Sequence, residues 1–115
     1  MVRRKDSYPA KRIENLRGGD GAVIIENMLT PAELYEKGRL FGKICIEPGS
    51  SIGQHIHEGE METFYVVSGK AEYYDNGDIV TLLPGDTALN ASGEEHSIRN
   101  IGDTTLELVA LIVFE

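Results

Sequence analysis

The stretch Gly49-Ser50-Ser51-Ile52-Gly53-Gln54-His55-Ile56-His57-Glu58-Gly59-Glu60-Met61-Glu62-Thr63-Phe64-Tyr65-Val66-Val67-Ser68-Gly69 decides how this chain folds. His55 and His57 are two residues apart, a spacing that projects both side chains from one face of a β-strand. Glu62 stands five residues after His57 and opens the run Glu62-Thr63-Phe64-Tyr65-Val66-Val67. That run, rich in β-branched and aromatic residues, reads as a second strand. With Glu62 facing the same space, Phe64 and Val66 share its face and line the interior. The pair of strands reads as one hairpin offering two imidazoles and a carboxylate. The third and last histidine, His96, comes from a distant strand. Three imidazoles and one carboxylate make a mixed N/O donor set for a divalent first-row transition metal. Scattered surface and core histidines would be the ordinary alternative, but every histidine of the chain falls in this one pattern.

The neighbouring sequence points to an all-β chain. Its 115 residues suit a single domain with a modest core. Aromatic residues are few and tryptophan is absent, so that core rests on Ile, Leu and Val. Leu40 to Ile46 reads as a strand closed by the turn pair Pro48-Gly49. Ala71 to Tyr74 and Ile79 to Leu83 flank Asp75-Asn76-Gly77-Asp78, where Asn-Gly favours the positive φ of a tight hairpin. Leu106 to Phe114 is apolar on both faces except at Glu107, which predicts burial on both. In so small a protein the second cover is expected to be another copy of the chain. One short helix is predicted. Thr30-Pro31-Ala32-Glu33 has the capping-box pattern with proline at the first helical position, and Gly38 can end it. It reads as a connector that lids one end of the fold.

Glycines turn the histidine cluster into a family resemblance. From Gly49 the chain reads Gly-x5-His-x-His-x4-Glu-x6-Gly through His55, His57, Glu62 and Gly69. From Gly85 it reads Gly-x5-Ala-x-Gly-x2-His-x3-Asn through Ala91, Gly93, His96 and Asn100. These segments resemble the two motifs of the cupin superfamily, in its small single-domain microbial form. One position departs, because the second motif usually carries proline where this chain has Ala91. The resemblance implies a double-stranded β-helix, or jelly-roll, barrel with a metal inside, held by His55, His57, Glu62 and His96. It implies manganese first, with iron, nickel, cobalt, zinc or copper also compatible with such ligands.

Charge divides the chain. Residues 1–20 hold six of the 11 basic residues and three of the 19 acidic ones, which marks them as a basic N-terminal arm. Residues 21–115, the expected barrel, are left strongly acidic and would repel a phosphate backbone, so nucleic acid is not an expected partner. Nothing in the sequence has the length and apolarity of a membrane span, so no membrane partner is expected either. The charged start Arg3-Arg4-Lys5 is followed by polar residues rather than an apolar signal region. Together with the lone Cys45 this predicts a cytoplasmic protein. Cys45 reads as a small buried residue, with a cavity-facing thiol as the alternative; Lys43 shares its face. Glu58 and Glu60 read as solvated turn residues, although a tighter turn would let Glu60 replace Glu62 as ligand. Tyr65, Tyr73 and Tyr74 read as packing residues. Arg99 is out of step with His96 and Asn100 and is expected to point away from the metal.

One carboxylate among the ligands leaves an M²⁺ centre with a net charge of about +1. It suits a small anionic chelate: oxalate or a similar carboxylate, or a 2-oxo or 2-hydroxy acid. Oxalate decarboxylases of the resembled family carry a substrate arginine three residues before the first metal histidine, where this chain has Ile52. The reaction stays open among oxidoreductase, decarboxylase-like lyase and isomerase chemistry, and no catalytic residue is assigned. A non-catalytic metal-dependent binding or sensor module is the alternative. A homodimer is the expected assembly.

Overall fold

The computed structural model describes all 115 residues. Ten antiparallel strands form two sheets. The strands are β1 (Ala10–Glu14), β2 (Ala22–Leu29), β3 (Gly38–Ile46), β4 (Ser51–Ile56), β5 (Glu60–Ser68), β6 (Ala71–Asp75), β7 (Asp78–Leu82), β8 (Thr87–Asn90), β9 (Glu95–Asn100) and β10 (Leu106–Phe114). One sheet runs in the order β1-β2-β3-β10-β5-β8, the other β4-β9-β6-β7. From β3 to β10 the chain crosses between the sheets at every step except the β6–β7 hairpin, the pattern of a jelly-roll barrel. β4 and β5, expected to form one hairpin, instead lie in opposite sheets, joined by residues 57–59. The donors from this stretch therefore reach the interior from two sides. No helix is long and apolar enough to cross a membrane.

The core follows strand alternation. Leu106, Leu108, Ala110 and Ile112 of β10 are buried against Ile44 and Ile46 of β3 and Phe64 and Val66 of β5. Each of these Leu, Ile, Val and Phe side chains, fully buried, contributes about 1.5–3 kcal/mol of transfer free energy. The other face of β10 has less cover within the chain. Val109, Leu111 and Val113 are only half-buried within one chain, beside the exposed Tyr65 and Leu89. Cys45 lies on this outer face, half-buried and turned away from the cavity. Its neighbour Lys43 bridges Glu26 and Glu107 at 3.3 Å each. Burial raises the Cys45 thiol above its ordinary range, which keeps it protonated at neutral pH.

Two turns decide local geometry. Asp75 pairs with Asp78 across Asn76 and Gly77, both at positive φ, which is the expected two-residue hairpin. The helix expected after Thr30 does not form, and the chain there makes only turns. The capping box itself is made: the Thr30 N–H donates to Glu33 Oε1 at 2.9 Å, and the Glu33 N–H donates to Thr30 Oγ1 at 3.2 Å. Tyr35 and Glu36 then turn left-handed and stop the winding, and Gly38 begins β3 instead of capping a helix. The only helical turn is a 3-10 turn at Leu16–Gly18, which lies over β4. Upstream of it, β1 pairs with β2, and Arg3 reaches Glu33 at 2.6 Å.

Candidate metal centre

Strand period places the donors. His55 and His57 face inward on either side of the exposed Ile56. Glu62 sits near the start of β5, on the face it shares with Phe64 and Val66. His96 lies opposite His55 in the β4–β9 ladder. Between Ile52 and His55 the ladder shifts: three steps along β4 match two along β9, from Ile98 to His96. This bulge is why Ile52, an odd number of residues from His55, also faces inward. Gly53 sits within it, and a Cβ there would collide with the Arg17 carbonyl oxygen.

The four side chains converge, each offering a ligand atom within 4.8 Å of the others. His55 Nε2 lies 3.0 Å from His57 Nε2 and 3.1 Å from His96 Nε2. Glu62 Oε1 lies 3.1 Å from His57 Nε2 and 3.2 Å from His96 Nε2. Donors at right angles around an ion with bonds of ~2.1 Å sit about 3.0 Å apart, so this ring has the size of a metal's ligand shell. His57, Glu62 and His96 are buried to within 5% exposure, and His55 is half-buried.

The outer side of each imidazole is also engaged. His55 Nδ1 lies 2.7 Å from the Gly53 carbonyl, which can only accept, so Nδ1 carries the proton and Nε2 faces inward bare. His57 Nδ1 lies 2.9 Å from Glu60 Oε1 and is the donor there. His96 Nδ1 lies 2.8 Å from the Tyr73 hydroxyl, whose oxygen accepts from Nδ1–H in the tautomer that turns Nε2 inward. Three Nε2 lone pairs and a carboxylate facing one another repel unless a cation sits among them. The donor set therefore fits a divalent metal, with orienting partners in place behind every histidine.

Electrostatics agree with that arrangement. Burial lowers His55 to about 4, so it is neutral at physiological pH. His57 is raised, chiefly by its hydrogen bond to Glu62 and then by Glu60. Burial would raise Glu62, but its hydrogen bonds to His57 and His96 outweigh it and leave the carboxyl lowered. Arg39 grips Glu60 through two bonds, at 2.7 and 2.8 Å, and holds that carboxyl down at about 2.

Two residues read from the sequence as bystanders belong to the site. Glu60 is a partner of His57, and it meets the outer nitrogen rather than the inner one that Glu62 meets. Tyr73 is buried and bonded to His96, and burial raises its hydroxyl so that it stays protonated. Arg99 turns away to Asp20 Oδ2 and the Gly49 carbonyl, as expected. Tyr65 and Tyr74, expected to pack, do not enter the core: Tyr65 is exposed, and the half-buried Tyr74 bonds Glu95. Ala91, the departure from the second motif, donates its N–H to Glu94 Oε1 at 2.8 Å, a bond proline could not make.

A cavity of about 200 Å³ reaches the cluster, its walls mostly aliphatic through Ile13, Leu16, Ile25, Leu40, Ile52 and Ile112. Its charged lining besides the cluster consists of Arg17 and Arg39. No acid–base side chain other than the cluster itself lines it.

Comparison with known proteins places these features. Residues 42–114 match the cupin domain family. An oxalate-binding protein of Thermotoga maritima is 42% identical over 113 residues, covering 98% of this chain and 93% of that one. A crystal structure from Thermotoga maritima, described as a predicted oxalate decarboxylase, superposes with a TM-score of 0.97 at 42% identity, covering both chains completely. The cupin domain of Cnp3 from Schizosaccharomyces pombe shares the fold at 14% identity, with a TM-score of 0.74 over 91% of this chain and 69% of that one.

Proposed function

The chain belongs to the cupin family, and from that premise we propose that it binds a small anionic carboxylate at a divalent metal held by His55, His57, Glu62 and His96. The observation that carries this is the closed ring of Nε2 and carboxylate atoms at 3.0–3.2 Å, each imidazole held from behind. A metal there would act as a Lewis acid towards a carboxylate oxygen. Manganese is the first choice, with iron, nickel, cobalt, zinc and copper served by the same ligands. Gly53, Glu60 and Tyr73 fix the imidazole planes, Arg39 fixes Glu60, and the aliphatic walls keep the approach dry. Oxalate leads the ligand class because the related Thermotoga protein is described as oxalate-binding; 2-oxo and 2-hydroxy acids share its chelating chemistry.

Whether chemistry follows binding separates two readings, an enzyme and a binding or sensor module. The absence of a separate acid or base along the cavity favours the binding module. Calorimetry tests the common part. Oxalate should bind protein loaded with Mn²⁺ and not metal-free protein. Equal binding to both forms would remove the metal from the account.

The same reading includes a homodimer, supported by the uncovered apolar outer face of β10 and its neighbours. In it residues 1–20 form the basic arm, joined to the barrel of residues 21–115 through the β1–β2 pairing. The acidic barrel argues against nucleic acid as a partner, and nothing points to a membrane. A single cysteine suits the cytoplasm.

A further inference from the structure

We propose that Arg17 is a specificity-determining residue of the cavity, selecting dianionic dicarboxylates over monoanionic 2-oxo and 2-hydroxy acids. This rests on the reading of the cluster as a metal site for carboxylates.

Two arginines line the cavity, both exposed to solvent, and they differ in one respect. Arg39 is neutralised by its double hydrogen bond to Glu60. Arg17 takes part in none of the chain's ion pairs or side-chain hydrogen bonds. It lines the same cavity as His55, His57 and Glu62, and its positive charge bears on His55. An unpaired cation beside an aliphatic wall has an anion as its natural partner, and a guanidinium meets a carboxylate through two parallel bonds.

Position supports the assignment. Arg17 has φ of +54°, in the left-handed region, where a residue with a side chain costs about 1–2 kcal/mol relative to ordinary backbone. Glycine would occupy the position without that cost, yet an arginine stands there. The turn is pinned on every side. The Gly18 and Gly19 N–H groups donate to the Asn15 and Leu16 carbonyls, and Asn15 Nδ2 donates to the Gly19 carbonyl at 3.0 Å. Beneath it, the Arg17 carbonyl packs on Gly53, in the bulge that aims His55. Base of guanidinium and metal ligand are thus set by one piece of backbone.

Charge then selects the ligand. Three neutral imidazoles and Glu62 leave a divalent metal at about +1, and Arg17 adds one more. A dianion such as oxalate balances both, chelating the metal through one oxygen of each carboxylate and turning its two outer oxygens toward Arg17. A monoanion satisfies the metal and leaves Arg17 unpaired.

The test is calorimetry of Mn²⁺-loaded protein with oxalate and with glyoxylate, with metal content measured by mass spectrometry. Arg17→Gln should weaken oxalate by about tenfold or more and glyoxylate by no more than about twofold, with manganese content unchanged. Arg17→Lys should recover part of the lost oxalate affinity. Arg12→Gln removes an equal charge from β1, whose Arg12 pairs with Glu14, and should change neither ligand. Oxalate affinity retained in Arg17→Gln, an equal loss for both acids, no recovery with lysine, or an equal effect from Arg12→Gln would each overturn the role of Arg17. Wild-type protein that holds manganese but takes up neither acid would overturn the carboxylate reading itself, and this proposal with it.

Discussion

The four-residue cluster and the outer face of the six-stranded sheet are both places where the sequence asks for partners, and only the first finds them within one chain. Every inward nitrogen of the cluster has a second contact behind it, from Gly53, Glu60 or Tyr73. On the outer face Phe41, Val109, Leu111 and Val113 are half-buried, and Tyr65 and Leu89 are exposed. Both regions arise from the same alternation along β5 and β10, read on opposite faces. Alternation states that a face needs cover, but what supplies the cover is decided elsewhere: by topology inside the barrel and, in the proposed homodimer, by a second molecule outside it.

Removing ligands should break the comparison most completely. His57→Ala combined with His96→Ala should reduce bound metal from about one per chain to none while the barrel stays folded, because the core is a separate aliphatic cluster. Mass spectrometry for metal and circular dichroism check the two halves of that statement. Stoichiometric metal in the double variant would show that the cluster is not the site.

Charging the outer face should come next. Val109→Asp with Leu111→Asp puts two carboxylates in the middle of the apolar patch. A homodimer should become monomeric by light scattering at micromolar concentration, with metal content unchanged. If wild-type protein is already a monomer there, the half-buried face is solvated and the dimer is wrong.

A smaller effect probes the layer behind the ligands. Glu60→Gln replaces the anionic acceptor of His57 Nδ1–H by a neutral one and should lower metal affinity about 10–100-fold at pH 8. The pH dependence has a definite sign. His57 is raised in the metal-free protein, so a proton must leave it before metal binds, and affinity should fall as pH drops from above 6.5. His55 is lowered to about 4 and joins that competition only near that pH. Glu60→Gln also weakens the hold on the His57 proton, so its deficit should shrink at pH 6. A deficit that grows as pH falls would contradict the assignment of that proton.

Much of the site was legible because its period is local. His55, His57 and Glu62 are placed by two-residue alternation on strands consecutive in sequence, and His96 by a second motif of fixed spacing. Glu60 was misread because its role depends on Arg39 of β3, a residue 21 positions earlier that only the fold brings near. Its spacing of three from His57 across Gly59 was the available signal. Tyr73 meets His96 only through the β6–β9 ladder, which no sequence period announces. The helix failed for the reverse reason. Its capping signals were read correctly and are made, yet tertiary contacts take over: Arg3 holds Glu33, and the Phe114 N–H donates to the Lys37 carbonyl. Ile52 faces inward only because of a bulge, and bulges leave little trace in sequence beyond a glycine such as Gly53.

The central claim is that one metal ion sits among His55, His57, Glu62 and His96. Anomalous diffraction from crystals of Mn²⁺-loaded protein, collected on either side of the manganese edge, tests it directly. The expected result is one strong peak per chain within bonding distance of three Nε2 atoms and a Glu62 oxygen. A peak elsewhere, or none at the cluster in crystals whose protein carries stoichiometric manganese, would contradict it.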